Sequence, residues 1–122
     1  MQIRFSVLSV FLLAIAGCST EPAIRYQTTD LQVDAGRAAW QEHCASCHGS
    51  EMQGTEKGPT LLHDMYAPEH HNDKKLRRAI AAGVLQNHWY FGDMPPQPQI
   101  GYLKASDLVT YIRFIQQQQG LY

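Results

Sequence analysis

The segment Cys44-Ala45-Ser46-Cys47-His48 constrains this chain more than any other feature. Two thiols stand three positions apart, and an imidazole follows at once. Each thiol can add across one vinyl group of a haem, which then holds the histidine beneath the iron as an axial ligand. Spacing and residue order are both required, so the pattern reads as a c-type haem attachment site rather than a bare pair of cysteines.

The same residues have other uses. A zinc site wants a second Cys/His pair at ligand spacing, and the remaining cysteine, Cys18, lies in a different context. A thioredoxin-like redox pair wants a βαβ setting, whereas the flanking residues read as helix. A Cys44–Cys47 disulfide is compatible with an oxidising compartment.

The N-terminus agrees with export. Arg4 precedes an apolar run over residues 5–16, too short for a comfortable membrane span. Ile15-Ala16-Gly17-Cys18 resembles a bacterial lipobox. That resemblance implies a lipoprotein signal peptide over 1–17, cleaved before a lipidated Cys18. Several acyl chains at one cysteine anchor a protein stably, where a single chain binds marginally. An ordinary secretory signal with Cys18 a spare thiol, and an uncleaved anchor, are the other readings. Residues 18–32 are polar and read as a flexible tether, whose length gives a reach of about 20 Å. The domain proper is expected over 33–122. The expected location is the bacterial cell envelope, with the domain in the periplasm and the inner or outer membrane left open. The net charge of −1 gives no footprint for nucleic acid.

Within the domain the periodicity is helical, with no strand pattern. Val33, Gly36, Trp40 and Cys44 share one face of a helix over 33–44. Gly36 costs about 1 kcal/mol there relative to alanine, which points to close approach of another element. Residues 49–66 hold Gly49, Gly54, Gly58 and Pro59 and read as loop. Asn72 or Asp73 can cap a second helix ending at Ala82, with Gly83 as its stop. Its Lys74, Lys75, Arg77 and Arg78 read as a solvated face. Ser106 is the expected cap of a last helix to about Gln118, with Leu108, Tyr111, Ile112 and Ile115 as its apolar stripe. Gln116 to Gln119 reads as a polar helix end, and His63, His70 and His71 as surface.

The remaining axial position decides between electron transfer and ligand chemistry. Met52 and His43 stand too near the attachment site to reach the far face. Met65 and His88 are candidates, but Met94, in Gly92-Asp93-Met94-Pro95-Pro96, is favoured because proline stiffens its loop. Thioether ligation favours Fe(II) and raises the potential.

With these residues in hand, the chain resembles class I monohaem cytochromes c over roughly 33–118. The resemblance rests on Cys44-Ala45-Ser46-Cys47-His48-Gly49, Met94-Pro95, and Gly36 with Trp40 against Leu108 and Tyr111. Trp40 stands where Phe or Tyr is more usual. The resemblance implies an all-α fold of helices and loops wrapped around one covalent haem c. It also implies that the Pro59 carbonyl accepts from the ring N–H of His48. The function implied is one-electron transfer between unidentified redox partners, tethered to a membrane through Cys18, with no catalysis of its own. A haem subunit of a reductase or oxidase is the alternative, or a small-ligand sensor if Met94 is not a ligand.

Overall fold

The computed structural model describes residues 30–122. The lipobox, Cys18 and the tether as far as residue 29 lie outside them. Four helices follow: α1 (Asp30–His43), α2 (Ala45–His48), α3 (Asp73–Ala82) and α4 (Tyr102–Gln118), with a short 3-10 turn at Asp64–Tyr66. The described residues contain no strand, only isolated bridges between Thr55 and Gly58 and between Val84 and Met94. None of their helices is long and apolar enough to cross a membrane.

Helix α1 begins three residues ahead of the expected start, taking Asp30, Leu31 and Gln32 out of the tether. Asp30 in its first turn suits the positive end of the helix dipole. The stripe of Val33, Gly36, Ala39 and Trp40 is buried, and it faces α4. A Cβ on Gly36 would overlap the Asp107 carbonyl oxygen and stand 2.6 Å from Tyr111 Cβ. Only a residue without a side chain lets the two backbones approach this far. Above the contact, the rings of Trp40 and Tyr111 lie 6.4 Å apart at 59°, within the range of favourable tilted aromatic pairs.

Helix α3 follows its expected bounds. The Asn72 side chain accepts from Lys75 N–H at 3.0 Å, and Leu76 and Ile80 form its buried face. Helix α4 departs from expectation at its start. It begins at Tyr102 after Gly101, and the Ser106 hydroxyl donates to the Tyr102 carbonyl inside the helix instead of capping it. The early start is licensed by the preceding turn, where Ile100 N–H bonds to Gln97 O and Ile100 is buried. At the other end Gly120 N–H reaches Gln117 O and Leu121 N–H reaches Gln116 O, the paired bonds of a Schellman stop.

The loop between α2 and α3 is folded back on Met52. Met52 has φ +61 and is fully buried. That strained conformation persists because its carbonyl accepts from both Leu61 N–H and Thr60 Oγ1, each at 2.9 Å. The effect is to return residues 59–61 to the end of α2, where the attachment motif sits.

Gln116, read as part of a polar helix end, and Arg113 are both structural. Gln116 is fully buried and donates to the Leu61 carbonyl at 2.8 Å. Arg113, 9 % exposed, donates to Asp73 Oδ1 at 2.8 Å, to Tyr66 O at 2.8 Å, to Gln116 Oε1 at 2.7 Å and to the His71 carbonyl. A buried charge needs such complete partnering. The network ties α4 to the start of α3 and to the loop before it.

Candidate functional site

The attachment motif is itself helical. Cys44 N–H still bonds to Trp40 O, while Cys47 N–H and His48 N–H both bond to Cys44 O, at 2.9, 3.1 and 2.9 Å. Cys44, Cys47 and His48 therefore stand at i, i+3 and i+4, the positions that share one helix face. Both cysteines are free thiols and half-buried. Burial, with a smaller contribution from neighbouring Cys47, pushes the Cys44 thiol up to about 11. At neutral pH Cys44 is thus an uncharged, apolar part of the wall.

His48 is fixed by its surroundings. Its Nδ1 lies 2.9 Å from the Pro59 carbonyl oxygen. A carbonyl can only accept, so Nδ1 carries the proton and Nε2 keeps its lone pair. Such a bond also raises the basicity of the free nitrogen. The indole of Trp40 stands 5.9 Å from the His48 ring, and its Nε1–H donates to Gly49 O at 3.0 Å. The departure from Phe or Tyr at this position thus has a use: the indole N–H satisfies the buried carbonyl that follows the histidine.

Met94 is placed by the end of α3. Val84 and Met94 exchange both backbone hydrogen bonds, at 3.0 and 2.9 Å. Gln97 N–H adds a bond to Ile80 O at 2.9 Å. Gly83, expected only as a helix stop, has φ +73, and a Cβ there would stand 2.5 Å from Met94 O and 2.9 Å from Pro96 N. The loop between is closed on itself, Gln86 N–H bonding to Asp93 Oδ1 and Gly92 N–H to Gln86 Oε1.

Cys44, His48, Pro59 and Met94 line one cleft. About 940 Å³ of space not filled by protein lies within it, open solvent at its mouth included. Its walls are apolar: Trp40, Leu61, Leu76, Ile80, Leu108 and Ile112 among them. Cys47 is not among its walls, but stands one helical turn from Cys44 and next to His48. His43, Met52 and Met65 are not among its walls, whereas His88 and His71 are.

His71 corrects the expectation of an exposed side chain, for it is half-buried and lines the cleft. Its Nδ1 lies 2.5 Å from Met65 O, and its ring is 5.2 Å from that of Tyr66. The Tyr66 hydroxyl accepts from Trp89 Nε1–H at 2.9 Å. Burial raises the Tyr66 phenol above its ordinary value, against a smaller lowering by the Trp89 bond. His63 is exposed as expected and caps the 3-10 turn, its Nδ1 accepting from Met65 N–H at 3.1 Å. Tyr66 and His71 were missed as wall residues because no local pattern marks them.

The residues fit a haem. An apolar cleft for a flat macrocycle is flanked by two thiols one helical turn apart, an imidazole with a free Nε2, and a thioether. Among the described residues no group of three or more His, Cys, Asp or Glu side chains is arranged to hold a metal ion directly.

Comparison with known proteins agrees. The family model for Cytochrome c matches residues 33–119. Searches of curated proteins and of solved structures returned no significant match. The match covers the attachment motif, the Gly36 crossing and the Met94 loop alike: the chain belongs to the cytochrome c family, as a class I member, a haem-based electron carrier with its c-type haem covalently attached.

Proposed function

We propose that this protein carries single electrons at a bacterial envelope membrane, on a haem bound through Cys44 and Cys47 and ligated by His48 and Met94. The observation that carries the reading is the tautomer of His48. Pro59 holds the proton on Nδ1, so Nε2 is available as a nitrogen ligand in a cleft that Met94 also lines.

Cys44 and Cys47 would hold the haem, each through a thioether formed as its S–H adds across one vinyl group. The haem supplies the Fe(III)/Fe(II) couple. The chain's own work is to keep that couple dry and its ligands still. Trp40, Leu76, Ile80, Leu108 and Ile112 exclude water from the cleft. The Pro59 bond holds the imidazole, and the Val84 bridge holds the Met94 backbone. Ligands fixed by the protein keep rearrangement on electron exchange small. Two protein ligands leave no easy entry for oxygen or peroxide, which argues for transfer rather than catalysis.

Export, lipidation at Cys18 and a periplasmic position rest on the sequence before residue 30. The partners are an electron donor and an acceptor reached within the span of the tether.

The test is a visible spectrum of the oxidised and reduced protein, made in a host that matures c-type cytochromes, with a denaturing gel stained for haem. Haem that stays on the chain, low-spin with the weak far-red band of methionine ligation, is the expected result. A retained but high-spin, CO-binding haem overturns Met94 ligation and electron carriage together.

A further inference from the structure

Trp40 and Met52 are both fully buried, and one run of hydrogen bonds joins them to His48. The Trp40 indole Nε1–H donates to Gly49 O at 3.0 Å, and Met52 N–H donates to the same oxygen at 3.2 Å. The Met52 carbonyl in turn accepts from Leu61 N–H and from Thr60 Oγ1, each at 2.9 Å. Thr60 follows Pro59, whose carbonyl oxygen lies 2.9 Å from His48 Nδ1. The indole ring stands 5.9 Å from the imidazole. The run therefore starts beside His48 and returns to it.

We propose that Trp40 is a positioning residue for the haem ligand. Its indole N–H fixes the Met52 turn, and through that turn the closeness with which the Pro59 carbonyl meets His48. The inference rests on His48 binding the iron, and not on Met94 being the sixth ligand.

The weak link of the run is Met52. Its φ of +61 is costly for a residue with a side chain and persists only where the surroundings over-determine it. Without the indole donor, the buried Gly49 carbonyl keeps only the longer bond from Met52 N–H. An under-satisfied buried carbonyl then pulls against the turn. A second tie limits the change. Thr55 Oγ1 donates to Cys47 O at 2.6 Å and Thr55 N–H to Gly58 O at 3.0 Å. A Cβ on Gly58 would stand 3.0 Å from Cys47 O, so this backbone lies directly against the attachment motif. Losing the indole bond therefore loosens the Pro59–His48 contact without breaking it.

The sign follows from the tautomer. A close bond from Nδ1–H to a carbonyl makes Nε2 the stronger donor to iron, and a stronger donor favours Fe(III). Loosening that bond raises the midpoint potential. A phenylalanine ring would still pack on Tyr111 but brings no N–H, so the donor and not the ring carries the effect.

The experiment uses the haem-loaded protein as the natural chain, Trp40→Phe, Thr60→Val, their double variant and Tyr111→Phe. Proton NMR of the reduced form reads solvent exchange of His48 Nδ1–H, and the midpoint potential is measured beside it. In Trp40→Phe the proton is expected to exchange about fivefold faster, the weight of one net hydrogen bond, and the potential to rise. Thr60→Val is expected to shift both readouts the same way. The double variant should move them by less than the sum, as links of one run do. Tyr111→Phe alters the same helix crossing but keeps the indole bond, and should move neither. Unchanged exchange and potential in Trp40→Phe, additive shifts in the double variant, or equal shifts in Tyr111→Phe overturn the proposal. So does equal loosening at the Val84 and Met94 amides, which would mark a general loss of stability. Should Trp40→Phe not retain haem, Thr60→Val decides by the same two readouts. Absence of large hyperfine shifts on the His48 ring of the oxidised natural chain would remove His48 as a ligand, and the proposal with it.

Discussion

The backbone of Met94 is packed directly on Gly83: a Cβ at Gly83 would stand 2.5 Å from the Met94 carbonyl oxygen. A glycine that ends α3 thus also sets how near the methionine segment lies to the helix lining the cleft. The same residue has φ +73, where a side chain is strained in any case. Gly83→Ala is expected to displace the 94–96 segment, weakening the far-red band and lowering the potential while covalent haem is retained. Spectra of the variant at matched haem content check this.

Met94→Ala is expected to leave haem on the chain and open the sixth position. The spectrum turns high-spin, CO binds the reduced form, and the potential falls by an appreciable part of the ~0.8 V that axial ligands command. An unchanged potential with no CO binding would sink the assignment of Met94.

Arg113→Met removes a buried cation and takes its donors from four acceptors, the Tyr66 and His71 carbonyls, Gln116 Oε1 and the Asp73 carboxylate. Breaking a buried pair from one side costs about 3–5 kcal/mol. The denaturant midpoint of the haem-loaded variant should fall accordingly with its slope unchanged. A loss under 1 kcal/mol would show that the network is not stabilising the cleft wall.

Cys18→Ser is expected to move the protein from the membrane to the soluble periplasmic fraction, with haem content unaltered. Retention on carbonate-washed membranes, with residues 1–17 still attached, would replace the lipid anchor by an uncleaved one. Mass spectrometry of the mature N-terminus distinguishes the two.

The attachment motif, the α1 stripe and the Gly36 crossing were legible because each is a local pattern or a single residue with one physical meaning. So was Pro59, through resemblance to a family whose proline carbonyl meets the haem histidine. The bounds of α1 and α4 were not. Asp30 to Gln32 look like polar tether, and Ser106 looks like a cap, until the buried turn at Ile100 starts the helix earlier.

Tyr66, His71, Arg113 and Gln116 were illegible for a different reason. Their partners lie far along the chain: Tyr66 with Trp89 across 23 positions, Arg113 with His71 across 42, Gln116 with Leu61 across 55. A glutamine in a run of four carries no mark of being the buried one, and a histidine beside another carries no mark of facing a cleft.

By itself, then, the sequence determined the cofactor, its covalent attachment and the class of fold. Thiol spacing, the adjoining imidazole and helical periodicity are local chemistry that no packing can alter. Only the tertiary structure decided which polar groups are dry and which are left with unused hydrogen-bonding capacity. Burial depends on what α4 and the 84–94 loop bring up from a distance, and it is burial that turns Arg113 into a tie and His71 into part of the cleft wall.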